Sequence, residues 1–277
     1  MTARPPGPRV DESADDSIAS TKDRAPAGLI CPNGHSFDAA RQGYVNLLAG
    51  RGTRFTPDTA AMIMARERVH TAGVFAALSD LLAQVKLPEP APVVLDCGAG
   101  TGHYLHQVLD AHPDSRGIAL DLSTAGLKRA ARHPRTLALA WDLWQPLPLL
   151  DDSVNLLIGV FAPRHVSEYA RVLKPGGTAV VVTPRRGHLA ELRETGLLGM
   201  QGEKLDQLRS QMAPSFGAPE STQQVLSEVP VDPNLVADLI FMGPAGHHRQ
   251  HTELRAKAER SGVSHITVDL DVSLWRG

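Results

Sequence analysis

From about residue 90 onward, short apolar runs alternate with stretches of helical spacing. The run that opens at Val93 ends on Asp96 and Cys97 and passes at once into Gly98-Ala99-Gly100-Thr101-Gly102, with an amphipathic stretch over 101–112 behind it. That order predicts a strand, a tight loop and a helix. A second run, Gly117-Ile118-Ala119-Leu120, closes on Asp121, and a third, Leu137 to Trp141, closes on Asp142. The fourth covers Val154 to Val160 and leads into Phe161-Ala162-Pro163. After a basic helical stretch, the turn Leu173-Lys174-Pro175-Gly176-Gly177 introduces a fifth run, Thr178 to Thr183, stopped by Pro184. Near the end, Ile266, Val268, Leu270, Val272 and Leu274 alternate with polar residues, which predicts a strand with one buried face. Upstream, 58–72 and 74–85 read as helices, the second with Leu78, Leu81, Leu82 and Val85 at helical spacing, placed to cover a ligand pocket. Strands and helices in this alternation predict a doubly wound α/β domain.

Composition adds the boundaries. With 277 residues, 42% of them apolar, the chain can build one full α/β domain and a smaller module. Residues 1–28 are rich in Pro, Ser, Asp and Ala, a composition that predicts a disordered tail. Residues 29–57 are expected to form the small module and 58–277 the main domain, with 58–88 as its covering helices. A net charge of −2 gives no global basic field. The two cysteines, Cys31 and Cys97, exclude a disulfide framework and lead us to expect a cytoplasmic protein. No apolar run reaches membrane-spanning length, so no membrane partner is expected.

The glycine loop carries the chemistry. Its spacing is G-x-G-x-G, and the dinucleotide fingerprint would need glycine where His103 stands. A nucleotide-like ligand without a pyrophosphate is therefore favoured, S-adenosylmethionine first. An acidic residue at the carboxyl end of the second strand, here Asp121, is placed to accept both ribose hydroxyls. Asp142, after the third, is placed to accept the adenine amino group. The cofactor set expected from the pattern is Asp96, Gly98, Gly100, Gly102, Asp121 and Asp142, with Leu122 and Leu143 beside the two later aspartates.

The series of runs, with Arg171-Val172-Leu173-Lys174-Pro175-Gly176-Gly177, resembles the class I (Rossmann-like) S-adenosylmethionine-dependent methyltransferases, in which the last strand enters antiparallel. A sharper resemblance begins at Cys31-Pro32-Asn33-Gly34-His35 and Phe37-Asp38-Ala39-Ala40-Arg41-Gln42-Gly43-Tyr44-Val45-Asn46-Leu47-Leu48. It continues through Phe161-Ala162-Pro163-Arg164, His188-Leu189-Ala190-Glu191-Leu192 and Met242-Gly243-Pro244. These segments resemble the 23S rRNA guanine-N1 methyltransferases of the RlmA group, closer to the Gram-positive branch that includes tylosin-resistance enzymes. The resemblance implies a zinc-ribbon-like module in front of a methyltransferase domain and a hairpin guanine of 23S rRNA as substrate. It also implies that Phe75, Gly100, Thr101 and His188 contact the cofactor. One departure stands out: the upstream cysteine pair of the ribbon is missing. Cys31 and His35 are then a remnant half-site, and zinc is not expected, because a structural zinc takes four ligands.

Charge is uneven along the chain. Arg41, Arg51, Arg54, Arg66 and Arg68 crowd the segment up to His70; Arg164, Arg171, Lys174, Arg185, Arg186 and Arg193 crowd the loops after the fourth and fifth strands. Phosphate contact by such clusters would give salt-dependent RNA binding, and Arg41, Arg51, Arg54, Arg164, Arg185 and Arg186 are the expected RNA contacts, with Phe161 to stack the acceptor base. The Phe161-Ala162-Pro163 loop lacks the polar acceptor used on exocyclic amines and suits a ring nitrogen. His165 and Asp142 are the candidate general bases. Two rival readings stay open, a small-molecule methyltransferase of the same fold and a non-catalytic cofactor-binding regulator. A homodimer is left open as well.

Overall fold

A computed structural model describes residues 2–4, 27–48, 53–88, 90–199 and 205–277. The first elements are short: β1 (Thr2–Arg4), β2 (Gly28–Ile30), β3 (Ser36–Asp38) and β4 (Val45–Asn46). Two helices follow, α1 (Ala60–Thr71) and α2 (Ala76–Ala83). The alternating region runs β5 (Val93–Cys97), α3 (His103–Ala111), β6 (Arg116–Asp121), α4 (Thr124–Ala130), β7 (Thr136–Ala140), β8 (Val154–Val160), α5 (Val166–Val172) and β9 (Leu173–Pro184). It closes with α6 (Ala190–Glu194), α7 (Leu205–Phe216), β10 (Ser221–Pro230), α8 (Pro233–Phe241), α9 (His251–Ser261) and β11 (His265–Arg276).

β4 to β11 make one sheet of eight strands in the order β10-β11-β9-β8-β5-β6-β7-β4. The strands from β4 to β9 pair parallel, and β11 enters antiparallel to β9, with β10 antiparallel outside it. Because side chains alternate across a strand, Val94 and Leu95 on β5, or Val180 and Val181 on β9, feed two different cores. One core takes Val69, Leu78, Leu105, Leu127 and Ile240 from α1, α2, α3, α4 and α8; the other takes Tyr169, Leu208 and Trp275 from α5, α7 and the end of β11. Parallel strands covered on both faces place the loops after β5, β6, β7, β8 and β9 at one rim, where an open α/β sheet binds its ligand.

Three expectations change. β11 is buried on both faces and is not the sheet edge, since β10 pairs outside it: Asp269, Asp271 and Ser273 at its polar positions are 8%, 3% and 0% exposed. They are satisfied by neighbours the pattern could not show, Gln224 and Arg185 on Asp269, Arg185 on Asp271 and Thr222 on Ser273. The small module is also not a separate bead. β4 extends the main sheet, Val45 and Asn46 pairing with Leu139 and Ala140 of β7, and both Val45 and Leu47 are buried. Finally, Thr2–Arg4, inside the stretch read as a disordered tail, forms β1 and pairs antiparallel with β2 to complete a three-stranded ribbon with β3.

Candidate active site

β5 ends in the glycine loop, and its register fixes the loop against β6: the N–H groups of Gly98 and Ala99 both donate to the Leu120 carbonyl. Gly98, Gly100 and Gly102 all sit at positive φ. At Gly98 the requirement is double. Its φ of 82° is unfavourable for an L side chain, and a Cβ there would stand 2.7 Å from the Ala162 Cβ. The Phe161-Ala162-Pro163 loop after β8 thus closes directly onto the glycine loop.

Asp121 holds that loop from the next strand. One carboxylate oxygen takes the Gly100 N–H at 2.8 Å and the other the Ser123 N–H at 2.7 Å. Asp96 lies beneath, 2% exposed, and its Oδ2 has no hydrogen-bond partner. Burial, with the Asp121 carboxylate nearby, pushes Asp96 up to about 7. Gly98, Asp121, Leu122, Asp142 and Leu143 line one cavity of about 230 Å³ together with Phe55, Thr56, Pro57, Asp58, Trp144 and Pro163. Five of the expected cofactor residues are therefore brought to one nucleoside-sized space.

Four residues of that wall come from the segment 55–58, a linker that spans the boundary expected between the small module (29–57) and the covering helices (58–88). Thr53 donates its hydroxyl to Asp142 Oδ2 at 2.9 Å, while Asp142 Oδ1 takes the Trp144 N–H at 3.0 Å. Phe55 stacks on Trp144 at 6.2 Å, and the Arg54 guanidinium lies 5.1 Å over the Phe55 ring. The linker is folded over the pocket by these contacts. Its sequence, Thr53 to Asp58, has no apolar period, and only the two aromatic partners brought together by folding reveal it.

A second group gathers beside the first. Phe75 is buried at the start of α2, 6.1 Å from Phe161 and 6.2 Å from His188, and the Phe161 and His188 rings stack at 5.8 Å. Phe161 is 44% exposed and holds a φ of 55°, a strained position for a residue other than glycine. Burial, reinforced by Arg193, lowers His188 to about 4, so the ring is neutral near pH 7. Its Nδ1 accepts the Asp269 N–H at 3.4 Å, which assigns the proton to Nε2. Thr101 is buried as well, but it faces a separate groove shared with His70, His103 and His106. His165 stands at the start of α5 with its Nδ1 enclosed and unpartnered.

The arginines divide. Arg66 pairs with Asp58, Arg68 with Asp238, Arg171 with Glu168 and Asp151, and Arg185 with Asp269 and Asp271. These four were counted along the chain as open charge, and the fold supplies their carboxylates. Arg171 and Lys174 also flank the start of β9, the end opposite the glycine loop. Arg41 and Arg54 are exposed, Arg164 bonds the Gln211 side chain, and Arg186 is exposed beside Arg185. Arg51 lies outside the described residues.

In the ribbon, Cys31 Sγ and His35 Nδ1 stand 3.2 Å apart across the turn. Among the described residues no three His, Cys, Asp or Glu side chains gather as a metal site would require.

The sheet order, the glycine loop and the carboxylates closing β6 and β7 define a class I S-adenosylmethionine-dependent methyltransferase. Residues 94–177 match the family profile described as "Methyltransferase domain", and residues 21–50 match "RlmA, N-terminal", a zinc-ribbon profile. Over 255 residues, 90% of each chain, the protein is 40% identical to the 23S rRNA (guanine(748)-N(1))-methyltransferase of Streptomyces fradiae. It is 42% identical over 270 residues to a Micromonospora griseorubida protein provisionally described as a 23S rRNA (guanine-N(1)-)-methyltransferase, covering 91% of this chain and 90% of the relative. A solved Haloferax volcanii complex of a methyltransferase with its Trm112 activator shares the fold, at a TM-score of 0.50 and 19% identity over 80% of this chain and 98% of that one. The chain belongs to the 23S rRNA guanine-N1 methyltransferase family.

Proposed function

We propose that this protein methylates N1 of a hairpin-loop guanine in 23S rRNA, in the cytoplasm, using S-adenosylmethionine. The observation that carries the reading, beside family membership, is the closure of the Phe161-Ala162-Pro163 loop onto Gly98, which sets an exposed aromatic ring at the edge of the cofactor loop. The residues present fit the cofactor: the Asp121 and Asp142 carboxylates and the Leu143 segment suit an adenosine, and the unpartnered Asp96 Oδ2 lies under the loop. When bound, S-adenosylmethionine supplies an electrophilic methyl on sulfur.

This chain's residues then have separable tasks. Phe161 stacks the acceptor guanine, an interaction worth roughly 1–3 kcal/mol. His188, neutral and with Nδ1 already accepting a backbone N–H, presents Nε2–H as a donor, which makes it an orienting group and not the base. Asp142 is committed to Thr53 and Trp144 on the cavity wall, which argues against it as the base, and His165 has its Nδ1 enclosed, so that only its Nε2 is open to the N1 proton. Alignment of the acceptor nitrogen with the methyl provides much of the rate. Arg41, Arg54, Arg164 and Arg186 hold RNA phosphates. The ribbon is held without zinc: Cys31 N–H to the His35 carbonyl and Gly34 N–H to the Cys31 carbonyl close its turn, and Leu29 is buried in the core shared with β4. Stoichiometric zinc in purified protein would overturn that part.

The test is transfer of labelled methyl to unmethylated 23S rRNA followed by primer extension. A methyl on N1 blocks the Watson–Crick edge, so one strong new stop at a guanine is expected. Labelled RNA without a stop refutes N1 as the acceptor, and no transfer to RNA refutes the substrate.

A further inference from the structure

Arg66 belongs to the arginine-rich segment before His70, yet its head group is turned inward. It lies on α1, whose Met62, Ile63, Ala65 and Val69 are buried in the core, and its own side chain is 23% exposed. Nη1 stands 2.8 Å from where a Cβ on Gly100 would be, so the guanidinium rests on the glycine loop itself. Nη2 donates to Asp58 Oδ2 at 2.5 Å and to the Met242 carbonyl at 2.9 Å. Those are its hydrogen bonds among the described residues, which leaves Nη1 and Nε without one there.

The charges around it explain why a cation is needed at this point. The cavity wall carries the carboxylates of Asp58, Asp121 and Asp142, which suit hydroxyl and amino groups and repel an anion. S-adenosylmethionine has hydroxyl and amino groups at its nucleoside end and a carboxylate at its amino-acid end. A guanidinium fixed on the glycine loop answers that carboxylate, and its planar fork matches two oxygens at once. Asp58 and the Met242 carbonyl hold Nη2 and so fix which edge of the fork faces Gly100. His247, 3.8 Å from the other Asp58 oxygen, adds a second neighbour to the same anchor.

We propose that Arg66 binds the carboxylate of S-adenosylmethionine through the guanidinium edge that faces Gly100. The proposal rests on the adenosine pocket described above, and the comparison of ligands separates the two. Calorimetric titration of the full chain with S-adenosylmethionine and with its decarboxylated form, which differ by the carboxylate alone, reads the contact directly. Wild type is expected to bind S-adenosylmethionine about ten- to a hundredfold more tightly, the range of a charge-assisted contact. Arg66→Gln is expected to bind both ligands with the affinity that wild type shows for the decarboxylated form. A preference that survives in Arg66→Gln overturns the proposal. So does an equal loss of both ligands, which would make Arg66 a support of the loop and no more. Wild type that binds neither ligand refutes the adenosine pocket and the proposal with it. Should Arg66→Gln fail to fold, Arg66→Lys serves: a point charge without the fork is expected to shrink the preference severalfold, and an undiminished preference overturns the assignment.

Discussion

At the scale of single residues, two strained or unsatisfied groups mark the site. Phe161 keeps a left-handed backbone although its ring is 44% exposed. Phe161→Gly relieves the backbone while removing the stacking surface, so stability is expected to stay within about 1 kcal/mol and kcat/KM for RNA to fall roughly 10- to 100-fold. Equal activity in the variant would remove Phe161 from the acceptor site. Asp96 gives a pH signature. In the folded chain it keeps its proton up to about 7, whereas unfolded it releases it near pH ~3.9. The folded state binds more protons across that window, so the Asp96 contribution is full below the lower value and lost as pH rises through the upper one. His188 has the opposite sign: with its pKa lowered to about 4, its contribution is present above the ordinary histidine value and lost as pH falls toward 4. Asp96→Asn isolates the first effect. Its thermal stability at pH 8 is expected to exceed that of wild type by about 2–4 kcal/mol, with the gap closing by about pH 4. The glycine spacing and the aspartates after each run made the residues of this rim legible beforehand, because each lies at a strand end. Arg66 and Thr53 were not legible, since what they touch is set by helices and loops that cross the rim from elsewhere in the chain.

At the scale of elements, the parallel strands β5 to β8 were read nearly to their ends, because a parallel strand buried on both faces leaves a continuous apolar run, while β10, mostly exposed and antiparallel, was not read at all. β9 shows where that fails. It already pairs at Leu173 with Val154, through the Lys-Pro-Gly-Gly turn that the pattern placed before the strand. β4 shows a different failure: two residues are too few for any period, and only pairing with β7 makes them a strand. This attachment has a consequence for unfolding. Val45 is wholly buried on the sheet edge, and Val45→Ala should cost about 2–3 kcal/mol. If β4 ties the small module to the main sheet, the variant still melts in one transition, shifted down, and the tryptophan fluorescence and the far-ultraviolet circular dichroism move together. Two separated transitions would mean that the module unfolds by itself.

Across the whole molecule, the question is which positive charges meet RNA. Net charge is −2, so attraction has to come from local clusters, and linear counting overstated them. Arg66, Arg68, Arg171 and Arg185 are spoken for by Asp58, Asp238, Glu168 with Asp151, and Asp269 with Asp271. Arg185 makes the contrast testable, because it sits at the correct rim yet bridges two buried carboxylates of β11. Arg41 and Arg54 are exposed, with Arg54 lying over a ring at the pocket mouth. If these two neutralise phosphates of a hairpin loop, Arg41→Gln with Arg54→Gln should lower the slope of log K against log salt by roughly 1.4, at about 0.7 for each single-strand contact. Cofactor affinity should stay unchanged in Arg41→Gln alone, whereas Arg54 also packs on the Phe55 wall of the cavity. Arg185→Gln should behave in the reverse way: it leaves Asp269 and Asp271 uncompensated, lowers the melting temperature, and loosens the Arg185-to-His188 turn while the salt slope stays near that of wild type. A salt slope that falls with Arg185→Gln and holds with the double variant would exchange their roles, moving the RNA path from the linker to the loop after β9.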